Sequence, residues 1–101
     1  MDKRAIAKEF ADRLRADLGD KVESVRLFGS VSKGLDTPDS DLDLFVLSKK
    51  SVFGELREPI GDVLKRGAVP EVINLTTSEY ARIKRLNSPF YRTIENEAVE
   101  I

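Results

Sequence analysis

Residues 29–44 read GSVSKGLDTPDSDLDL, and this stretch decides both the fold and the expected chemistry. It joins Gly29-Ser30, at the end of one predicted strand, to Asp41 and Asp43 at the start of the next, with ten residues between Ser30 and Asp41. A glycine turn that opens a helix offers free backbone N–H groups, which bind phosphates. Two carboxylates on alternate strand residues share a face, about 6.6 Å apart along the chain, and can hold hard divalent cations. The spacing therefore predicts a site for a metal-bound nucleoside triphosphate.

Composition excludes several other kinds of site. The 101 residues are 41% hydrophobic and 35% charged, which predicts one globular domain over residues 1–101. Lys and Arg number 17 against 18 Asp and Glu, so the net charge of −1 argues against nucleic acid as a tightly bound partner. Cysteine and histidine are absent, which excludes disulfides, thiolate metal sites and imidazole catalysis. The first ten residues lack the apolar run of a signal peptide and no stretch approaches the ~20 apolar residues of a membrane span, so we expect a cytoplasmic protein without a membrane partner.

Apolar residues at helical spacing predict three main helices. These run from about Ile6 to Gly19, over Ser51–Arg66, and from the Thr76–Glu79 capping box to about Leu86. Pro59 must kink the second helix or start a new one, because it removes a backbone donor and clashes with the preceding turn.

Shorter segments complete the predicted order. Strands are expected at Val22–Phe28, Asp41–Leu47 and Val69–Leu75, one helical turn at Val31–Gly34, and a last short helix from Pro89. The order αβαβαβα favours an α+β fold, similar to an α/β sandwich, with a small mixed β-sheet covered by helices.

The second predicted strand departs from strict alternation. Asp41 and Asp43 share a face opposite Leu42 and Leu44, but Phe45 then falls on the carboxylate side. We infer that the beginning of this strand opens into a cleft while the remainder is covered on both faces, as in a central strand.

The turn and the carboxylates suggest separate roles in binding. Gly29 allows the backbone to approach a phosphate, the Ser30 hydroxyl can donate to it, Lys33 adds a positive charge nearby, and Gly34 lets the chain leave the short turn. Repulsion between two close carboxylates is relieved by a cation, and Mg²⁺ suits a site made of carboxylates and substrate phosphates.

The motif resembles the signature of the minimal nucleotidyltransferases, the short relatives of the DNA polymerase beta fold. The likeness lies in Gly29-Ser-Val-Ser-Lys-Gly34 and Pro38-Asp-Ser-Asp-Leu-Asp-Leu44, and it extends to the leading helix and to Ser88-Pro-Phe-Tyr-Arg92. The resemblance implies the nucleotidyltransferase fold and transfer of AMP from ATP with magnesium. It implies that Gly29 and Ser30 bind phosphate and that Asp41 and Asp43 bind the metal and are catalytic. It also implies a partner, a small helical HEPN-type toxin that some relatives inactivate by adenylylating a tyrosine.

Two departures from the family pattern affect the predicted site. Ser32-Lys33 replaces the family's common Ala-Arg, which keeps the charge but loses the bidentate fork of arginine. The third carboxylate is expected within Glu71-Val-Ile-Asn-Leu75, where the favoured register places Asn74, and Glu71 would need another register. An amide can ligate magnesium weakly but cannot accept a proton at neutral pH.

Three hypotheses follow. The leading one is magnesium-dependent transfer of AMP from ATP to a hydroxyl, on a tyrosine of a HEPN-type toxin, in an antitoxin role. The second is a catalytically weak or inactive binding module that neutralises its partner by contact, as the Asn74 register suggests. The third is adenylylation of a small molecule such as an aminoglycoside, for which a homodimer could supply the second substrate surface.

Overall fold

A computed structural model describes residues 2–101, in which five helices and four strands occur. The helices are α1 (Lys3–Leu18), α2 (Gly29–Lys33), α3 (Arg57–Lys65), α4 (Thr77–Arg85) and α5 (Pro89–Glu97). The strands are β1 (Val22–Phe28), β2 (Leu42–Ser48), β3 (Pro70–Thr76) and β4 (Val99–Glu100). Short 3-10 turns at Gly19–Lys21 and Phe53–Leu56 precede β1 and α3.

The strands form one mixed sheet in the order β3-β2-β1-β4. β1 is antiparallel to both β2 and β4, whereas β2 and β3 are parallel and are joined by the crossover that contains α3. The predicted α+β fold with a small mixed sheet covered by helices is confirmed. The sequence reading missed β4, because two residues are too few to produce a strand pattern.

One face of the sheet is covered by α1 and α3. The apolar stripe of α1 packs on alternate residues of β1 and β2, which point to the same side. This cluster includes Ile6, Phe10, Leu14, Val25, Leu27, Leu44, Val46 and Val63, all of them buried.

The opposite face is covered by α4 and α5. Phe45 of β2 is fully buried there, with its ring centroid 5.5 Å from that of Tyr80 and 5.8 Å from that of Phe90. Phe90 also meets Phe28 edge to face at 5.9 Å. The prediction that the remainder of β2 is covered on both faces is therefore confirmed.

The helix ends follow from their sequences. Pro59 lies in the first turn of α3, where a backbone N–H would have no partner within the helix. The helix predicted over Ser51–Arg66 is therefore divided, and Pro59 stands near the start of a new helix, which was one of the two predicted outcomes. The predicted capping box is present: the Thr76 hydroxyl accepts from the Glu79 N–H, and the Glu79 carboxylate accepts from the Thr76 N–H. Among residues 2–101, no helix has the length and apolar character needed to cross a membrane.

Candidate active site

The turn after β1 is built by two glycines with positive φ. Gly29 has a φ of +73° and begins α2 directly after the strand, and Gly34 has a φ of +71° and ends it. The Gly34 N–H donates to the Val31 carbonyl at 3.2 Å and the Leu35 N–H donates to the Ser30 carbonyl at 2.9 Å, which closes the short helix. A residue with a Cβ atom is strained at these positive φ values, so glycine is the residue that allows the turn.

The Asp43 carboxylate lies against Gly29. Phe28 and Asp43 are paired in the antiparallel ladder, which places the start of β2 beside the end of β1. A Cβ atom added at position 29 would overlap Asp43 Oδ2 and lie 2.9 Å from Asp43 Cγ. Glycine at position 29 therefore provides the space that the carboxylate occupies. The structure brings the two halves of the motif together.

The third acidic side chain comes from β3. In the parallel ladder Asp43 is paired with Glu71, and both residues lie on the face that carries Phe45 and Ile73 farther along the strands. Asp41 precedes β2 and is exposed. Asp41, Asp43 and Glu71 thus form an acidic group at the beginning of two neighbouring parallel strands.

The register that places Asn74 at the third position is wrong. Asn74 is paired with Val46 and lies three residues from Glu71, so its side chain points to the opposite face of the sheet. There its Oδ1 accepts from the Val52 N–H at 2.9 Å, and its Nδ2 donates to the Val46 carbonyl and to Ser48 Oγ, each at 3.0 Å. Asn74 binds the backbone of the segment that follows β2, and Glu71 is the β3 residue that lies beside Asp43.

The electrostatics of the site centre on Asp43. The pKa of the Asp43 carboxyl is raised from 3.8 to about 6, first by partial burial and then by the charges of Glu71 and Asp41 and a hydrogen bond with Glu71. Near neutral pH most Asp43 carboxyls are ionised next to two other acids. The arrangement is costly without a cation, as expected of acids gathered for function.

The donor set fits a divalent cation. All three side chains offer hard carboxylate oxygens, which Mg²⁺ prefers. A cation would offset the charges of Glu71 and Asp41, which after burial are the next causes of the raised pKa of Asp43. Within residues 2–101 no three such side chains already surround a common point that could hold a metal ion. The substrate's phosphates supply the remaining ligands in sites of this kind.

Lys33, which was predicted to lie near the phosphates, pairs with a carboxylate in the structure. Lys33 Nζ lies 3.1 Å from Glu97 Oε1 at the end of α5, and both side chains are partly exposed. Exposed ion pairs contribute little to stability, so Lys33 can exchange Glu97 for a phosphate at small cost. Ser30 lies next to Gly29 in the first turn of α2 and is partly buried.

Sequence reasoning missed Lys3. This lysine lies in the first turn of α1 and is only 7% exposed. Its Nζ donates to the carbonyls of Thr37 and Ser40, in the loop that leads to Asp41. Nothing in the spacing of α1 distinguishes it from Lys8, the exposed lysine of the same helix.

A family model described as "Nucleotidyltransferase domain" matches residues 7–101. A protein of Methanocaldococcus jannaschii, named as a candidate protein adenylyltransferase, is 29% identical over 96 residues, which cover 95% of each chain.

The chain is also similar to solved structures. The structure of a candidate minimal nucleotidyltransferase is 21% identical, with a TM-score of 0.66, and the match covers 100% of this chain and 97% of that one. A chain of the toxin-antitoxin pair MntA-HpeT is 16% identical, with a TM-score of 0.66 over 93% of this chain and 70% of its own. A chain from the complex of tri-AMPylated Shewanella oneidensis HEPN toxin with MNT antitoxin is 15% identical, with a TM-score of 0.60 over 97% and 70%. At these identities the likeness establishes a shared fold.

These matches confirm the resemblance that was carried by Gly29-Ser-Val-Ser-Lys-Gly34 and by the acidic stretch after it. They confirm the enzyme class as well, since the family model spans nearly the whole chain. The chain belongs to the nucleotidyltransferase domain family.

Proposed function

We propose that this protein transfers AMP from ATP to a hydroxyl group of a protein partner, with Mg²⁺ held by Asp41, Asp43 and Glu71. The observation that carries the proposal is the position of Glu71. It completes an acidic group of three beside the Gly29 turn, where a triphosphate can approach the backbone closely.

Each residue of the site has a part in the proposed reaction. The N–H groups that follow Gly29 and the Ser30 hydroxyl bind phosphate oxygens, and Lys33 leaves Glu97 to balance their charge. Asp41, Asp43 and Glu71 would hold the Mg²⁺, which when bound would supply positive charge to the phosphates and to the reacting oxygens. The acceptor oxygen forms a bond to the α-phosphorus, the bond from that phosphorus to pyrophosphate breaks, and Glu71 takes the proton of the acceptor hydroxyl. Glu71 suits this last role because it is exposed at the edge of the site.

The proposed acceptor is a tyrosine hydroxyl of a small helical toxin of the HEPN type. Support comes from two similar structures, one a toxin-antitoxin pair and the other an AMPylated HEPN toxin with its MNT antitoxin. The M. jannaschii relative, by its name, acts on protein. In this role the protein is an antitoxin that inactivates its partner covalently.

The alternative of an inactive binding module loses its main support. The binding-module hypothesis depended on Asn74 as the third residue of the site, because an amide side chain cannot accept a proton at neutral pH. Glu71 occupies that position beside Asp43.

The proposal is tested with the purified protein, ATP labelled at the α-phosphate, Mg²⁺ and, as the acceptor, a purified small helical protein of the HEPN type. We expect label on the partner and its loss with EDTA. Asp43→Asn and Glu71→Gln should each lower the rate by about a hundredfold or more, the scale of a lost catalytic group. Asp39→Asn is the matched control, because this exposed acid lies in the loop just before β2 and its loss changes the charge equally.

Two results would overturn the proposal. An unlabelled partner that is nevertheless bound and neutralised would favour the binding module. Label that persists in Glu71→Gln at the wild-type rate would remove the proton acceptor from the mechanism.

A further inference from the structure

A buried lysine ties α1 to the loop that carries the first acid of the site. Lys3 is 7% exposed, although lysine is among the residue types least often buried. It also lies in the first turn of α1, where the helix dipole disfavours a positive charge. A charge in such a position is costly unless hydrogen bonds replace its water.

Backbone carbonyls of the loop satisfy the Lys3 ammonium. Lys3 Nζ donates to the Thr37 carbonyl at 2.7 Å and to the Ser40 carbonyl at 2.8 Å, and it lies 3.5 Å from the Pro38 carbonyl. An ammonium has three donors, and two of them make short hydrogen bonds to this loop while the Pro38 carbonyl lies at the limit of hydrogen-bonding distance. The contact joins segments 34 to 37 residues apart in the chain.

The loop has few other connections to the fold. Residues 35–39 are exposed and belong to no helix or strand. Within the loop, the Thr37 N–H donates to Ser40 Oγ at 2.8 Å and the Ser40 N–H donates to the Thr37 carbonyl at 3.0 Å, which makes a local turn. The turn holds its own shape, and Lys3 holds it against α1. Asp41 follows Ser40 directly, so the position of the turn sets where Asp41 enters the site.

The next residue of α1 contacts the other half of the motif. Arg4 Nη2 donates to the Ser32 carbonyl in α2 at 2.8 Å. The first turn of α1 thus contacts both the helix after Gly29 and the loop before Asp41. Lys3 is buried whereas Arg4 is exposed, and of the two only Lys3 bonds to more than one carbonyl.

We propose that Lys3 is a positioning residue: its ammonium fixes the Thr37–Ser40 turn and thereby holds Asp41 where it can share a cation with Asp43 and Glu71. The inference rests on the proposed function only for the cation. The anchoring of the loop can be measured independently of catalysis.

The test compares Lys3→Met, which keeps the length and removes the donors, with Lys3→Arg, which restores charge and donors. Lys8→Met is the matched control, since Lys8 is an exposed lysine of the same helix whose partner is Asp12. Hydrogen exchange is followed at the amides of Thr37, Ser40 and Leu42, and binding of Mn²⁺ alone is followed by the EPR signal of the free ion. Urea unfolding of each variant identifies those that are folded.

For Lys3→Met we expect exchange at Thr37 and Ser40 to accelerate about tenfold or more, and the Kd for Mn²⁺ to rise about tenfold, the usual scale for a lost supporting contact at a metal site. Lys3→Arg should return both values to within about threefold of the wild type, and Lys8→Met should change neither. If Lys3→Met does not fold, Lys3→Gln, which keeps one donor group, is judged by the same measures.

The proposal is overturned if the folded Met or Gln variant keeps wild-type exchange in the loop and wild-type Mn²⁺ affinity. Exchange that accelerates without any change in Mn²⁺ affinity also overturns it, because the turn would then not control Asp41. If the wild type binds no Mn²⁺, the metal part of the proposed function fails, and the proposal fails with it. If Mn²⁺ binds and responds to Lys3 but no partner is labelled, only the proposed transfer fails.

Discussion

Replacing Asp43 by asparagine is expected to stabilise the fold while it removes the proposed activity. In the folded chain the pKa of Asp43 is raised from 3.8 to about 6, first by burial and then by the charges of Glu71 and Asp41. Ionised Asp43 is therefore less stable in the folded state than in the unfolded chain. Asparagine has nearly the same shape and carries no charge, so it removes this cost.

The magnitude follows from the shift in pKa. One pKa unit corresponds to about 1.4 kcal/mol, so a rise from 3.8 to about 6 corresponds to about 3 kcal/mol if it is fully realised. Asp43 keeps part of its surface in water, and solvent screening reduces that value, so we expect a gain of about 1 to 1.5 kcal/mol at pH 7.5. Because the pKa of this acid is higher in the folded state, the folded state binds the proton more tightly. The wild type thus loses stability as the pH rises from about 4 to about 6, and the loss is complete above that range.

The assay is urea unfolding in EDTA at pH 7.5 and at pH 4.0, with Asp39→Asn as a control for the loss of an exposed charge. Comparison at one pH cancels the titration of the other acids. The gain for Asp43→Asn should shrink to about 0.3 kcal/mol or less at pH 4.0, where the wild-type carboxyl is already protonated. No gain at pH 7.5, or the same gain at both pH values, would show that ionised Asp43 does not destabilise the folded state.

Three further predictions concern single side chains. Gly34→Ala should lose about 1 to 2 kcal/mol of unfolding free energy because of its positive φ, and Gly29→Ala should lose at least as much, because its Cβ would also overlap Asp43 Oδ2. Only Gly29→Ala should lose AMP transfer, since nothing lies within 4 Å of a Cβ at position 34. Equal transfer rates for the two variants would contradict this. Asn74→Ala should lower the unfolding free energy in urea by about 2 kcal/mol, because the backbone groups of Val52 and Val46 lose their hydrogen-bond partner, and it should keep the wild-type transfer rate. A rate loss comparable to that of Asp43→Asn would indicate that Asn74 belongs to the active site. Thr76→Ala should lower the unfolding free energy by about 1 kcal/mol through the lost cap of α4, and Thr76→Ser should recover most of it.

Local patterns predicted most of the fold because each depends on residues close in sequence. The Thr76–Glu79 capping box needs only four residues, and the four-residue spacing from Ile6 to Leu18 needs only one helix face. Phe45 on the carboxylate side indicated a strand covered on both faces, and the sheet places β2 between two neighbours.

What the sequence could not determine was register between distant segments. β3 pairs with β2 through a crossover of more than twenty residues, and a shift by one residue turns every side chain to the other face. That choice decides between Glu71 and Asn74. Lys3 was missed for a similar reason: its partners are backbone carbonyls more than thirty residues away, and carbonyls leave no sequence signal.

The position of the acids explains how a small domain can hold them. Asp43 lies two residues before Phe45 on the same face, so the aromatic cluster under α4 and α5 fixes the strand from which the carboxylate projects. The same apolar surroundings limit the water around Asp43, and this burial is the largest cause of its raised pKa. The aromatic cluster therefore fixes the direction of the Asp43 carboxylate and, by limiting its contact with water, also raises its pKa. A variant that loosened the aromatic cluster would weaken both, whereas a change at Asp41, which lies outside the strand, leaves the frame intact and alters only the charge. The site is thus divided between a rigid part in the strands and a part held from outside by a loop, and the loop is the element that Lys3 secures.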